Sequence, residues 1–139
     1  MEGARTVAGA AYRWLAGAYA VCVVVQFFLA GAGAFGEKVG VALEDQTSWD
    51  PHRAFGFVAL GFGSLLLLLV CLVWWPERIW LLGTFLLALL AFVVQPVLAA
   101  AADDSRWVGA LHGAVAAAIL ALSAWLALRA WGRDLRRPA

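Results

Sequence analysis

The chain has 139 residues, 65% of them hydrophobic and 14% charged, with eight tryptophans and a mean hydropathy of +0.87. That balance excludes an ordinary soluble domain, and the short length leaves no room for a soluble catalytic domain beside membrane spans. The formal charge of +1, with basic residues gathered near span ends, argues against a nucleic-acid partner.

Four apolar stretches, roughly 12–35, 53–75, 79–102 and 107–131, each reach the roughly 20 residues needed to cross a bilayer core. The fold class read from them is an all-α membrane protein, a single four-transmembrane antiparallel helix bundle with short turns between neighbours. The first stretch has signal-peptide features, with Arg5 and Arg13 ahead of it and small residues at Ala30–Ala34, but is read as a retained span. Arg5, Arg13, Arg78, Arg129, Arg133, Arg136 and Arg137 would share one side, against Lys38, Arg53 and Arg106 on the other. The positive-inside rule then places both termini in the cytoplasm and the loop 36–50 outside. Trp49, Trp74, Trp75, Trp80, Trp107 and Trp131 fall at span ends, as an interfacial aromatic belt would.

The second stretch opens on Asp50, Pro51 and His52, read as an N-cap, a first helical position and a histidine in the first turn. Thr47 or Ser48 offers an earlier start. His112, the only other histidine, lies about two turns into the fourth stretch, which Asp104 or Ser105 can cap. Ionisable groups inside spans are costly and call for a partner or a ligand. Both histidines would lie toward the outer leaflet.

The two halves of the chain echo each other. Gln26-Phe-Phe-Leu-Ala30 precedes His52, as Gln95-Pro-Val-Leu-Ala99 precedes His112. Helical spacing lines up Tyr19, Cys22, Gln26, Ala30 and Gly33 on the first helix, and His52, Gly56 and Gly63 on the second. It lines up Thr84, Ala88, Ala91, Gln95, Ala99 and Ala102 on the third, and Gly109, His112, Ala116 and Ser123 on the fourth. Small residues on these faces serve either tight helix seams or space for a flat macrocycle. Cys22 and Cys71 lie within apolar stretches and no Cys-x-x-Cys-His occurs, so neither a disulfide framework nor covalent haem attachment is expected.

In an up-down bundle the second and fourth helices are diagonal, about 13 Å apart for neighbouring axes 8–10 Å apart. That spacing suits two imidazoles on opposite faces of one iron. The expectation is one non-covalent haem b, cytochrome b-like, with His52 and His112 as metal ligands. Arg53 and Arg106 are candidate propionate partners, Gln26 and Gln95 candidate pocket or imidazole partners, and Gly56 the small residue beside His52. Electron transfer, haem carriage or haem sensing would follow, the first with a redox partner or quinone. No catalytic set emerges, so the reading leans away from an enzyme.

Gln26-x-x-Leu-Ala late in one helix, His52-Arg-x-x-Gly56 opening the next, and Leu111-His112-x-x-x-Ala116 in the fourth resemble one four-helix half of the haem A synthase family. Nearly the whole chain is similar to small four-helix actinobacterial membrane proteins of unknown function. The resemblance implies that His52 and His112 form an axial pair. The synthase's catalytic half carries a Glu three residues before this histidine, where this chain has Trp49, so haem binding rather than synthase chemistry is what it implies here. Two other classes stay open: an accessory subunit of a larger membrane complex or homodimer, with the stripes as seams, and a small transporter. The transporter ranks last because no Asp or Glu lies within a span. A zinc site would need the outer-loop acids to complete a tetrahedral set.

Overall fold

The computed structural model describes residues 2–38, 48–102 and 105–132, and every regular element among them is helical. Four helices result: α1 (Glu2–Lys38), α2 (Asp50–Trp74), α3 (Arg78–Ala101) and α4 (Arg106–Gly132). All four are long and apolar enough to cross a membrane. The loop bearing Glu44, Asp45 and Thr47, the Asp103–Asp104 pair and Arg133, Arg136 and Arg137 lie outside the described residues.

Helix α1 starts ten residues before the apolar stretch that announces it. Its first turns are rich in good helix formers such as Ala4, Arg5, Ala8, Ala10 and Ala11, and Ala8 and Tyr12 are already buried. Hydropathy marks where a helix can enter lipid, not where the helix begins.

The helices close a ring of pairwise packing, α1 against α2 and α4, and α3 against the same two. Helices α2 and α4 therefore stand at opposite corners. Close approach of α1 to α2 depends on glycine at two levels. A Cβ on Gly9 would lie 2.8 Å from the Trp74 indole nitrogen, and one on Gly33 would lie 2.8 Å from the Trp49 ring.

The densest packing lies at the Trp74 end. Tyr12, Leu67, Cys71, Trp80, Leu87 and Leu126 are all at most 2% exposed. The Tyr12 ring sits 5.2 Å from Trp74 and 6.0 Å from Trp80, which is 5.4 Å from Trp74 in turn. Tyr12 and Thr84 share a buried hydroxyl–hydroxyl bond of 2.6 Å, which removes the cost of two unpaired groups in an apolar interior. Trp80 thus departs from the expected belt: it is 1% exposed and belongs to the core, because its first-turn position on α3 faces Tyr12. Trp75, Trp107 and Trp131 remain exposed, as belt residues would be.

Helix α2 ends on Trp75 in the left-handed conformation, φ 52° and ψ 59°, with its N–H bonded to the Cys71 carbonyl at 2.9 Å. This is a helix-ending geometry that glycine adopts without penalty and a bulky residue does not. At its other end α2 begins one residue earlier than expected. Trp49 is the cap, its carbonyl accepting from the Arg53 N–H at 3.0 Å, and Asp50 is the first helical residue.

Two helices widen into π turns, Gly56–Phe62 in α2 and Leu89–Val94 in α3, and these segments pack on each other. Each has a local cause. In α2 the carbonyls of Leu60 and Gly61 accept side-chain donors, Tyr19 Oη at 3.2 Å and Ser64 Oγ at 2.7 Å. In α3 the π turn precedes Pro96, which lacks an N–H and would clash with the carbonyl four residues back in a regular α-helix.

The π turn also corrects one expected stripe. Thr84, Ala88 and Ala91 are buried, Gln95 is half-buried and Ala99 is exposed. A π turn holds more residues than an α turn, so the face drawn at α spacing shifts past residue 94: Ala99 turns outward, while Gln95 and Ala102 stay half-buried. The other stripes run as spaced: Tyr19, Gly33 and Ser123 are buried, and Cys22, Gln26, Ala30, His52, Gly56, Gly63, Gly109, His112 and Ala116 are half-buried.

Candidate functional site

Helix α1 brings Gln26 against the first turn of α2. Its side-chain amide nitrogen lies 3.0 Å from the His52 carbonyl oxygen and 3.3 Å from His52 Nε2, close enough to donate one hydrogen to each. The Gln26 backbone carbonyl lies 3.3 Å from His52 Nδ1. One tautomer satisfies both ring contacts: Nδ1–H donates to the Gln26 carbonyl while Nε2 keeps its lone pair and accepts from the Gln26 amide.

Small residues permit this contact. A Cβ on Gly56 would sit 2.6 Å from Gln26 Nε2, so only glycine lets the carboxamide lie flat on α2 there. Trp49, three residues before His52 and thus on the same side of the turn, stacks edge-on against the imidazole at 5.7 Å.

The second half of the chain supplies the matching pair without the matching bonds. His112 and Gln95 are half-buried, and His112 Nδ1 and Gln95 Oε1 are shielded from solvent with no hydrogen-bond partner among the described residues. Gln26 Oε1 is in the same condition. His52 in the first turn of α2 and His112 early in α4 stand on opposite corners of the ring, at the same end of the bundle. The four residues singled out by the internal repeat therefore gather at one end of the bundle. Three shielded polar atoms at this end have no partner among the described residues.

The two arginines do not join them. Arg53 is exposed and lies 3.7 Å from Asp50, an exposed pair of small energetic weight. Arg106 is exposed and stacks over Trp107 at 5.2 Å. Both sit at the rim of the histidine end.

Among the described residues no three His, Cys, Asp or Glu side chains gather as a metal set. A tetrahedral zinc site has too few ligands among the described residues, and the outer-loop acids that would complete it lie outside them. Two imidazoles carried by helices at opposite corners are a donor set a planar macrocycle could use, since it brings four ligands of its own. The donor chemistry fits a haem in a further respect: a ligating imidazole binds through Nε2 and passes its Nδ1–H to a second acceptor, as His52 does toward the Gln26 carbonyl. The polar cluster of Gln26, His52, Gln95 and His112 is distinct from the shallow apolar groove of about 480 Å³ between Gly3–Ala11 and Leu69–Val73. That groove has no group able to do chemistry.

Sequence reasoning put Tyr19 on the inward stripe and Trp49 in the aromatic belt without giving either a role at His52, and it missed Ser64. Trp49 walls the imidazole, while Tyr19 and Ser64 hold the π turn below it. The spacing Tyr12, Tyr19, Gln26 and Gly33, seven residues each, was the available signal for one continuous α1 face. No family model, curated protein or solved structure matches this chain.

Proposed function

We propose that this chain is a multi-pass protein of the cytoplasmic membrane that holds one b-type haem between His52 and His112. In this reading the helices alternate up and down across the bilayer, the arginine-rich ends and both termini lie in the cytoplasm, and the histidine end lies toward the outer leaflet. The observation that carries it is that His52 and His112, each on a helix long and apolar enough to cross a membrane, lie at the same end of the bundle on opposite corners of the ring. One has its Nδ1 tied to a backbone carbonyl, and the other has a buried nitrogen with no partner among the described residues. The resemblance of the same residues to one half of the haem A synthase family supports it.

His52 and His112 would be the axial ligands, Gln95 an acceptor near the His112 end, and Arg53 and Arg106 the rim cations nearest the propionates. A bound haem would supply one-electron redox chemistry or a cargo to be carried or sensed. An electron-transfer role requires a redox partner or a quinone, because a single centre near one face cannot span the bilayer.

One observation favours a second reading. The Gln26 carboxamide already satisfies the His52 carbonyl and Nε2, as interhelical polar glue does in an accessory subunit of a larger complex. Absorption spectra of the detergent-purified protein, expressed with haem available and recorded oxidised and dithionite-reduced, separate the two. A six-coordinate low-spin spectrum in the wild type, lost in His52→Ala and His112→Ala, supports the haem site. A colourless protein that stays so after haemin titration supports the accessory subunit.

A further inference from the structure

The end of the bundle opposite the histidines is basic. Among the described residues it carries Arg5, Arg13, Arg78 and Arg129 against Glu2 and Glu77. Two of these arginines lie on tryptophans of α4. The guanidinium carbon of Arg129 stands 4.9 Å over the Trp125 ring, and that of Arg13, from α1, stands 5.1 Å over Trp131. The rings are themselves held in place. Trp125 packs half-buried against the core, where a Cβ on Gly83 of α3 would lie 3.3 Å from it, and Trp131 meets Trp14 edge-on at 4.6 Å. A guanidinium stacked through its face keeps its in-plane N–H donors for an anion, and a cation already ordered on a ring loses less side-chain entropy when it binds one.

The surface between the two stacks is apolar and open. Leu128, three residues from each tryptophan, is 74% exposed, and Ala121, Ala118, Ala117 and Ala114 continue the same outer face of α4 toward the other end.

We infer that this face binds an anionic phospholipid, with the phosphate on the Arg129 edge, Arg13 on the opposite flank and an acyl chain along Leu128 and the alanines. The inference rests on the membrane reading above and not on the haem. Arg129 lies in the last turn of a helix of span length, where lipid headgroups begin. Charge selects the occupant. A second copy related by a two-fold axis along the bilayer normal would lay α4 on α4 and set Arg129 against its own image, a repulsive contact. A phosphate in the same place is complementary and matches the planar fork of a guanidinium.

Native mass spectrometry of the full chain in detergent, titrated with phosphatidylglycerol and phosphatidylcholine of matched acyl chains, tests this. The wild type is expected to retain phosphatidylglycerol at concentrations about tenfold below those needed for phosphatidylcholine. Arg129→Gln should abolish the preference. Arg129→Lys should lose most of it, because an ammonium keeps the charge but neither the stack nor the fork. Arg78→Gln removes the same charge from an exposed position at the same end, outside both stacks, and should leave the preference within about twofold of wild type. Circular dichroism checks the fold of each variant, and Arg129→Lys carries the test if Arg129→Gln does not fold.

Equal retention of the two lipids by the wild type, or equal loss in Arg78→Gln and Arg129→Gln, overturns the site in favour of diffuse attraction. Displacement of phosphatidylglycerol by inorganic phosphate would make it a site for a free anion, and a dimer that carries no lipid would give the face to a second copy; either overturns the inference. None of these outcomes touches the haem spectra. A chain that enters phospholipid vesicles of neither composition ends the membrane reading and the lipid site together.

Discussion

The Trp74 end of the bundle and its histidine end use similar polar residues to opposite effect. At the first, Tyr12 and Thr84 are fully buried, bonded to each other at 2.6 Å and surrounded by Trp74, Trp80, Leu67 and Leu87. At the second, no residue of Asp50–Phe55 or Gln95–Ala101 is fully buried, and Gln26 Oε1, Gln95 Oε1 and His112 Nδ1 are shielded without partners among the described residues. The π turns Gly56–Phe62 and Leu89–Val94 lie between. A completed polar contact inside apolar packing stabilises a fold, whereas an incomplete one costs free energy and persists where a ligand completes it. In the haem-binding reading proposed above, the first end holds the fold and the second takes the ligand.

Substitutions can break that assignment. The largest effect should come from His112→Ala, which is expected to abolish haemin uptake at concentrations that saturate the wild type while leaving the melting temperature of the haem-free protein nearly unchanged. A large drop in that temperature would instead make His112 a structural residue. Trp80→Ala, at the other end, is expected to lower stability by about 3–5 kcal/mol in denaturant or thermal unfolding in detergent. Among variants that still fold, its haemin spectrum should match the wild type. A changed spectrum would mean the two ends are coupled.

Thr84→Val leaves the Tyr12 hydroxyl buried and unpaired and should cost about 1–3 kcal/mol by the same unfolding assay, again with the histidine end unaffected. The smallest effect is a gain. Trp75→Gly relieves a left-handed tryptophan and should stabilise the α2–α3 turn by about 1 kcal/mol, less whatever apolar contact the indole makes with lipid. A net loss would show that the exposed ring matters as an interfacial anchor.

Length, hydropathy and periodicity are local properties, which is why the four apolar helices, the Gln–His repeat and most of the inward stripes could be read before any contact was known. His52 and His112 were legible for the same reason: each is an ionisable residue in an apolar stretch, and only two exist. Other features depended on partners far along the chain. Trp80 looked interfacial until Tyr12 closed over it, and of the two roles open to Gln26, pocket lining or imidazole partner, only its packing against α2 selects the second. The α3 stripe departs at Ala99 because Pro96 is accommodated by a π turn whose extra residue rotates the face, and α spacing has no means of anticipating that rotation.

What the sequence alone determined is that two histidines stand near one end of four apolar helices, since composition and spacing set helix length and the side on which each residue falls. What only the tertiary structure decided is that the two are unequal, His52 covered by Gln26 across Gly56 and His112 with a buried nitrogen lacking a partner among the described residues. The reason is physical: whether a buried polar atom is paired depends on which helix packs beside it and how closely, and repeat halves with the same local pattern meet different neighbours.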